Sequence, residues 1–390
     1  MITRTLNLST LLGNYSSAFL LGARGTGKTF LAREFLKDRR HLTFELLKGE
    51  TFTRYLGHPE YLRHEIERAL KDDCLTVCID EVQKLPQLLD EVHQLLSEHE
   101  KKVRFILTGS SARKLKRIGA NMLAGRAYTA QLFPLTCAEY NLPVEAALHY
   151  GTLPGVISSE QPELSLRAYF GTYLKEEIIA EAVTRKLDVF TRFLEVAAQY
   201  DGKPVNFSEL ARALKSTPHT VASYYEILEQ TLIAIRLPGW SRSVRKQLLQ
   251  APKYYFFDCG VLNAVRGELA ITPQPGTNRF GSLFENSVIN EFFRQNSYHR
   301  KDFTFSYWRT RDNQEVDLIC SKGNFEDPIA VEIKSSSAPS SQDLKHLHVF
   351  SDEYPQAKLY CLCTTPHAFV LDGVQIAPWK DGIKAVLGLQ

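Results

Sequence analysis

Over the first third of the chain, short apolar runs alternate with segments of helical period. Ser17-Ala18-Phe19-Leu20-Leu21 reads as a strand and is followed by a glycine-rich turn and a helical stretch over residues 29–37. His41-Leu42-Thr43-Phe44-Glu45 reads as a second strand, residues 59–71 as a helix, and residues 74–79 as a near-continuous apolar strand. A further helix over 85–98 and a buried strand over 103–107 complete the pattern. Mostly apolar strands alternating with amphipathic helices predict a parallel sheet covered on both faces.

The period changes after Pro134. Residues 139–199 read as mainly helical, broken at Gly151-Thr152-Leu153-Pro154-Gly155. Residues 208–235 read as two short helices joined by Ser216-Thr217-Pro218, followed by Pro238-Gly239-Trp240, a basic run and the strand-like residues 253–258. That order is the one a winged helix shows. The Pro- and Gly-rich residues 271–278 read as a linker, after which a helix over 283–295 precedes strands at 304–309, 315–320, 329–333 and 358–364. The fold class expected is α/β. A parallel-sheet α/β domain (1–135) leads to a helical lid or linker segment (136–200), a winged-helix-like domain (201–270) and a second α/β domain (279–390).

The first turn carries chemistry. Gly22-Ala23-Arg24-Gly25-Thr26-Gly27-Lys28-Thr29 satisfies GxxxxGK[ST] at every fixed position and sits between a predicted strand and a predicted helix. Glycines let the backbone curl so that its N–H groups face phosphate oxygens, and the helix adds its positive end. Lys28 is then the residue for the β- and γ-phosphates of ATP, and the Thr29 hydroxyl a ligand for Mg²⁺. The strand ending in Ile79-Asp80-Glu81 delivers two carboxylates to the sheet edge where ligands bind. Asp80 is the expected magnesium partner and Glu81 the group that orients and polarises the attacking water. Ser110, at the end of the next strand and preferred to Thr108, is placed to sense the γ-phosphate. Arg126 is a candidate charge stabiliser acting within the subunit or across to a neighbour, with a solvated surface arginine as the plain alternative.

The combination resembles prokaryotic AAA-type P-loop ATPases that carry a C-terminal domain of unknown function with a restriction-endonuclease-like fold. GARGTGKT, VCIDEVQKLP, ILTGSSARKL, LAGRA and FPLTCAEY carry the resemblance in the first half, and GTLPGV, KYYFFDCGVLNA, GSLFENSVINE, YWRTRDNQEVDLI and IAVEIKSSS in the second. It covers nearly the whole chain except residues 143–150. GTLPGV departs from the commoner Gly-Gly-Tyr-Pro form, and Lys175-Glu176-Glu177-Ile178 lacks the usual Arg-Asp pair. The resemblance implies ATP binding, and a PD-(D/E)xK constellation in the C-terminal domain.

Residues two apart on a strand share a face, so Glu332 and Lys334 point the same way. With Asp317 on the preceding strand and Glu285 on a helix, they match that constellation in order. Asp317 and Glu332, with or without Glu285, would hold magnesium, while Lys334 would position or help deprotonate a water attacking a phosphodiester. A binding or vestigial domain keeps the same residues without cleavage, and Val316 stands where the usual proline would be.

Charge adds local detail only. Lys plus Arg exceed Asp plus Glu by 47 − 44 = +3 in 390 residues, a balance that neither demands nor excludes a polyanion. Residues 101–128 hold eight basic side chains and no acid, and residues 236–253 hold five and no acid. Such clusters fit a DNA or RNA backbone, with Trp240 to stack on a base, or else a solvated face. Trp308-Arg309-Thr310-Arg311 fits a nucleic-acid contact or a cap on the sheet. Seven scattered cysteines form no zinc or disulfide pattern, and no apolar stretch suits a bilayer or a secretion signal. The expected setting is cytoplasmic. Nucleic acid, a protein partner and further copies of the chain stay open as partners. Two readings stand: an ATP-hydrolysing protein acting on nucleic acid, and an ATP-dependent switch or scaffold whose nuclease-like domain only binds.

Overall fold

Alternation along the strands explains the first layer of structure. In the computed structural model, β1 (Ser17–Leu21), β2 (His41–Glu45), β3 (Leu75–Asp80), β4 (Val103–Gly109) and β5 (Ala127–Gln131) form a parallel sheet ordered β2-β3-β4-β1-β5. The accompanying helices are α1 (Leu8–Asn14), α2 (Lys28–Leu36), α3 (Gly49–Gly57), α4 (Glu60–Ala69) and α5 (Leu88–His99). Phe19, Val77, Ile79, Phe105 and Leu107 point to one face and pack with Leu62, Ile66, Val92, Leu95 and Leu96. Ala18, Leu20, Cys78 and Ile106 point to the other and pack with Leu8, Leu11, Leu12, Ala32 and Leu36. Both faces are dry, which is why β1 and β3 are apolar at nearly every position. Strand β5 is a short edge strand (Ala127-Tyr128-Thr129-Ala130-Gln131) whose polar content hid it from the periodicity reading.

The structure describes residues 2–14, 17–71, 73–99, 102–110, 123, 126–174, 187–243, 247, 250–323 and 326–389. Its contacts divide the chain into two units, residues 1–135 with 176–183 and 230–233, and residues 136–175, 184–229 and 234–390.

The second unit begins with α6 (Val144–Tyr150), α7 (Pro154–Ile157), α8 (Pro162–Ala168) and α9 (Leu187–Gln199). A helix–turn–helix follows, α10 (Phe207–Ala213) and α11 (Pro218–Gln230), and then an antiparallel hairpin of β6 (Ala234–Leu237) and β7 (Lys253–Phe256). Asn206 caps α10 by accepting from the N–H groups of Ser208 and Glu209. Next come α12 (Cys259–Arg266) and the long α13 (Asn278–His299). The remaining strands are β8 (Thr304–Arg309), β9 (Glu315–Ser321), β10 (Ile329–Ile333), β11 (Lys358–Cys363), β12 (Phe369–Leu371) and β13 (Val374–Pro378). They form a mixed sheet ordered β12-β13-β11-β10-β9-β8, with α14 (Lys345–Glu353) and α15 (Trp379–Leu387) beside them.

Most of the chain that the sequence separates into three segments after residue 135 falls here into one unit, while residues 230–233 of the winged-helix-like segment fall in the first. The chain leaving β6 runs onto β8, where Tyr307 N–H donates to Pro238 O and Trp240 N–H to Tyr307 O. Trp240 is 7% exposed and packs edge-on against Phe350 and Tyr354. This corrects its expected role: the ring is core of the C-terminal sheet and offers no stacking face. Trp308 is buried likewise against Phe350, so of its two readings the structure selects the sheet cap. In the GTLPGV segment Gly151, Leu153 and Val156 are buried, and its first turn is bonded to the interior. Thr152 N–H donates to Asp258, Arg294 bonds the Thr152 hydroxyl and Phe257 O, and Asn263 bonds Leu148 O and His149 O.

Candidate nucleotide site and carboxylate cluster

At the carboxyl end of β1 the chain turns too tightly for side chains. A β-carbon on Gly22 would lie 2.3 Å from Leu132 O, and Gly25 and Gly27 hold φ of 83° and 95°, open to glycine at little cost. The Thr26 hydroxyl closes the loop onto Ala23 O at 2.8 Å. Arg4, with no signal in the sequence, braces the loop by bonding Thr26 O at 2.8 Å and Phe133 O at 2.6 Å. Helix α2 starts at Lys28 with no side-chain cap, so its first N–H groups are presented at the loop. Ala23 and Thr26 are buried, Arg24 is half-buried and Gly25 is exposed.

Lys28 is 5% exposed and its ammonium lies on the loop's own carbonyls, 2.8 Å from Gly22 O and 3.3 Å from Ala23 O. The Thr29 hydroxyl lies 3.0 and 3.1 Å from the two Asp80 carboxylate oxygens. Two oxygen donors of the type Mg²⁺ prefers thus converge from different elements beside the loop, and the donor set fits that ion. Thr108 is fully buried: its hydroxyl donates to Asp80 and accepts from Glu81 N–H at 3.0 Å. That leaves Ser110 as the outer hydroxyl.

Glu81 has φ 60° and ψ 45°, a left-handed conformation uncommon for a residue with a side chain, at the entry to a 3₁₀ turn. Gln83, 5% exposed, donates both to the Glu81 carboxylate and to Ser110 Oγ at 2.9 Å. One amide therefore joins two groups that the sequence picked out separately. Its role was invisible because the contact spans a turn and the end of another strand.

Arg126 lies elsewhere. It immediately precedes β5, whose Ala127 pairs with Ser17 at the amino end of β1, and its guanidinium bonds Ser97 Oγ at 2.6 Å. Four residues of strand, on the order of 13 Å, separate that end from the loop. Of its three readings, a role within the subunit does not fit this placement, while a role toward a neighbouring copy and a solvated surface arginine both fit it.

In the second unit, continuing the antiparallel β9–β10 register by one residue sets Asp317 across from Glu332. The Asp317 carboxylate accepts from Ile333 N–H at 2.8 Å. Lys334 Nζ donates to Glu332 Oε1 at 2.7 Å, while Glu332 Oε2 is buried with no partner. Burial pushes the Glu332 carboxyl well above the ordinary range, with Asp317 adding and Lys334 opposing.

Glu285 does not join that pair. It accepts from Tyr255 OH at 2.6 Å and lies 3.7 Å from Lys253 Nζ, which bonds Glu315 at 2.6 Å. Burial pushes the Glu285 carboxyl up, to about 7, against the pull of Lys253. Among the described residues, ligand atoms of three groups converge within 4.8 Å only at Glu67, Glu98 and His99. Of the two ligand sets left open, the structure sets Asp317 beside Glu332 and does not bring Glu285 to them.

The basic windows shrink in the same way. Lys253 is 1% exposed and unavailable to a phosphate backbone, and Arg242 lies over the Tyr354 ring. Lys101, Arg113, Lys114, Lys116, Arg117, Arg245 and Lys246 lie outside the described residues, as does the 175–178 segment. Among the described residues no helix is long and apolar enough to cross a membrane. All seven cysteines are free thiols.

Comparison with known proteins agrees with the loop geometry. Residues 14–141 match the model of an AAA domain, residues 143–272 a domain of unknown function (DUF8612), and residues 280–381 a second such domain (DUF4143). An uncharacterized protein of Mycobacterium tuberculosis is 27% identical over 372 residues, spanning 93% of this chain and 80% of its own. One of Haemophilus influenzae is 23% identical over 239 residues, 56% of each chain. Among solved structures, the Walker-type ATPase of Pyrococcus abyssi aligns at TM-score 0.44 and 18% identity, covering 66% of this chain and 93% of that one. Domain III of the Thermotoga maritima replication initiation protein DnaA aligns at TM-score 0.26 and 18% identity, covering 53% and 87%. Residues 14–141 of the first unit thus carry the match to an AAA domain, and residues 280–381 of the second the match to DUF4143.

Proposed function

We propose that the chain hydrolyses ATP with Mg²⁺, that nucleotide state governs the second unit, and that this unit, with a winged-helix-like hairpin and a nuclease-like carboxylate pair, takes DNA or RNA as its object. The observation that carries the ATPase reading is the convergence of a complete phosphate loop, Thr29 on Asp80, and Glu81 at one sheet edge. Thr29 and Asp80 would hold the magnesium ion, which neutralises phosphate charge when bound. Lys28, released from the Gly22 and Ala23 carbonyls, adds an ammonium to the same phosphates. Glu81 orients water and accepts its proton, and Gln83 sets the direction of that carboxylate while reporting to Ser110. Arg126 is proposed to act on the site of a neighbouring copy, with a solvated surface arginine as the plain alternative. Chain continuity supports the coupling: residues 230–233, from the last residue of α11 to the start of β6, belong to the first unit, where Leu232 packs against its core.

A second reading is favoured by Glu285, which is taken up by Tyr255 and Lys253 and does not meet Asp317 and Glu332. It describes a nucleotide switch whose second unit binds a partner without cutting. Phosphate release tests the first part: Lys28→Ala abolishes turnover, and Glu81→Gln keeps ATP binding while turnover falls about a hundredfold or more. Normal turnover by the Lys28 variant contradicts the site. Plasmid and single-stranded substrates with Mg²⁺ or Mn²⁺ test the second part. Cleavage lost in Asp317→Ala or Lys334→Ala supports the nuclease, whereas neither cleavage nor binding supports the switch.

A further inference from the structure

Four carboxylates, Glu285, Glu315, Asp317 and Glu332, gather between α13 and the strands β9 and β10, and the hairpin strand β7 sends one side chain among them. Lys253 has 2% of its side-chain surface exposed, a placement an ammonium tolerates only when fully paired. Its Nζ lies 2.6 Å from Glu315 Oε1 and 3.7 Å from Glu285 Oε1, and 5.1 Å from the centre of the Tyr307 ring. Tyr255, two residues on and therefore on the same face of β7, donates to the same Glu285 oxygen at 2.6 Å. Arg309 lies 3.7 Å from the other Glu315 oxygen. Glu315 thus has a cation at each oxygen, and Glu285 has both Tyr255 and Lys253 on one. Glu332 is not: one oxygen takes Lys334, and the other is buried with no partner although the residue is 3% exposed. A buried carboxylate oxygen left unpaired is costly, so the vacancy for a cation in this cluster lies at Glu332 and its cross-strand neighbour Asp317.

We propose that Lys253 is the resident cation of this cluster: its ammonium holds Glu285 and Glu315 in place of a metal, withdraws both from the ligand set, and leaves a single divalent-cation site formed by Asp317 and Glu332. The inference rests on the nuclease-like reading of the second unit. It gives β7 a positioning role in that site, since the hairpin supplies the charge that turns the helical glutamate away.

The test counts Mn²⁺ bound to the full-length, nucleotide-free chain carrying Lys28→Ala, by electron paramagnetic resonance of the free ion. The parent binds one Mn²⁺ that Asp317→Asn removes, which also subtracts any ion held at Glu67, Glu98 and His99. Glu285→Gln, which can still accept from Tyr255, leaves the affinity within about twofold, whereas loss of a true ligand weakens it tenfold or more. Lys253→Met, checked for folding by circular dichroism, gains a second Mn²⁺ that depends on Glu285. Should that variant not fold, the Glu285→Gln comparison decides alone. A tenfold loss in Glu285→Gln, an unchanged count in Asp317→Asn, or no bound Mn²⁺ in the parent overturns the proposal. No bound Mn²⁺ in the parent, or a count unchanged in Asp317→Asn, fails the nuclease-like reading on which the proposal rests, whereas a tenfold loss in Glu285→Gln with that ion present fails the proposal alone.

Discussion

Asp201 sits 4% exposed between the helical and sheet parts of the second unit, accepting from Phe256 N–H at 2.6 Å and from the Asn286 amide. Burial pushes its carboxyl up to about 6, against the pull of Arg266, the Phe256 N–H and Asn286. An acid that holds its proton more tightly in the folded state contributes stability below its unfolded value near 3.8, and loses that contribution as pH rises through 6. The loss is about 3 kcal/mol for two units. Asp201→Asn keeps an acceptor for Phe256 and cannot ionise. Denaturant melts of the two proteins at pH 4 and pH 7 then show a smaller fall for the variant, and parallel slopes contradict the assignment. Residues of this kind mark the limit of sequence reading. Lys28, Thr29 and Asp80 were legible because their spacing is local or lies at a strand end. Gln83, Arg4 and Lys253 were not, because each acts on an element distant in sequence, and Lys253 looked like one more basic residue in an acid-free run.

At the scale of elements, the buried strands of the first sheet announced themselves by continuous apolar runs, and β5, β12 and β13 did not, being short and flanked by turns. Helix ends depended on single side chains that periodicity does not reveal. Asp258 caps α12 by accepting from Val261 N–H at 3.1 Å and also takes Thr152 N–H at 2.6 Å. Gly151 makes room for it: a β-carbon there would lie 1.9 Å from the Asp258 carboxylate, and φ 71° with ψ −161° belongs to a region that glycine alone occupies readily. Gly267, at the other end of α12, has φ 72° but open space around it. Gly267→Ala is expected to cost about 1 kcal/mol, the backbone strain alone. Gly151→Ala adds a steric collision and a displaced cap, and its midpoint of unfolding falls several-fold further or the chain does not fold. Equal shifts for the two variants contradict the packing described at the GTLPGV loop, whose departure from the commoner family form left its role unread.

At the scale of the whole molecule, the chain joins a sheet built to hold a triphosphate to a unit that packs helices, a hairpin and a mixed sheet together. The boundary near residue 135 was legible from the change of period. Fusion of the later segments was not, because Trp240, Tyr307 and Lys253 cross between them through contacts that composition cannot report. Binding of ATP by the first unit is expected to run through its phosphate loop and Lys28. Calorimetric titration of ATP with Mg²⁺ into the full chain and into Lys28→Ala tests it most directly. One molecule of nucleotide is expected to bind each wild-type chain, with affinity reduced tenfold or more in the variant. Absence of any binding heat in the wild-type chain, or equal affinity in both proteins, would contradict the claim.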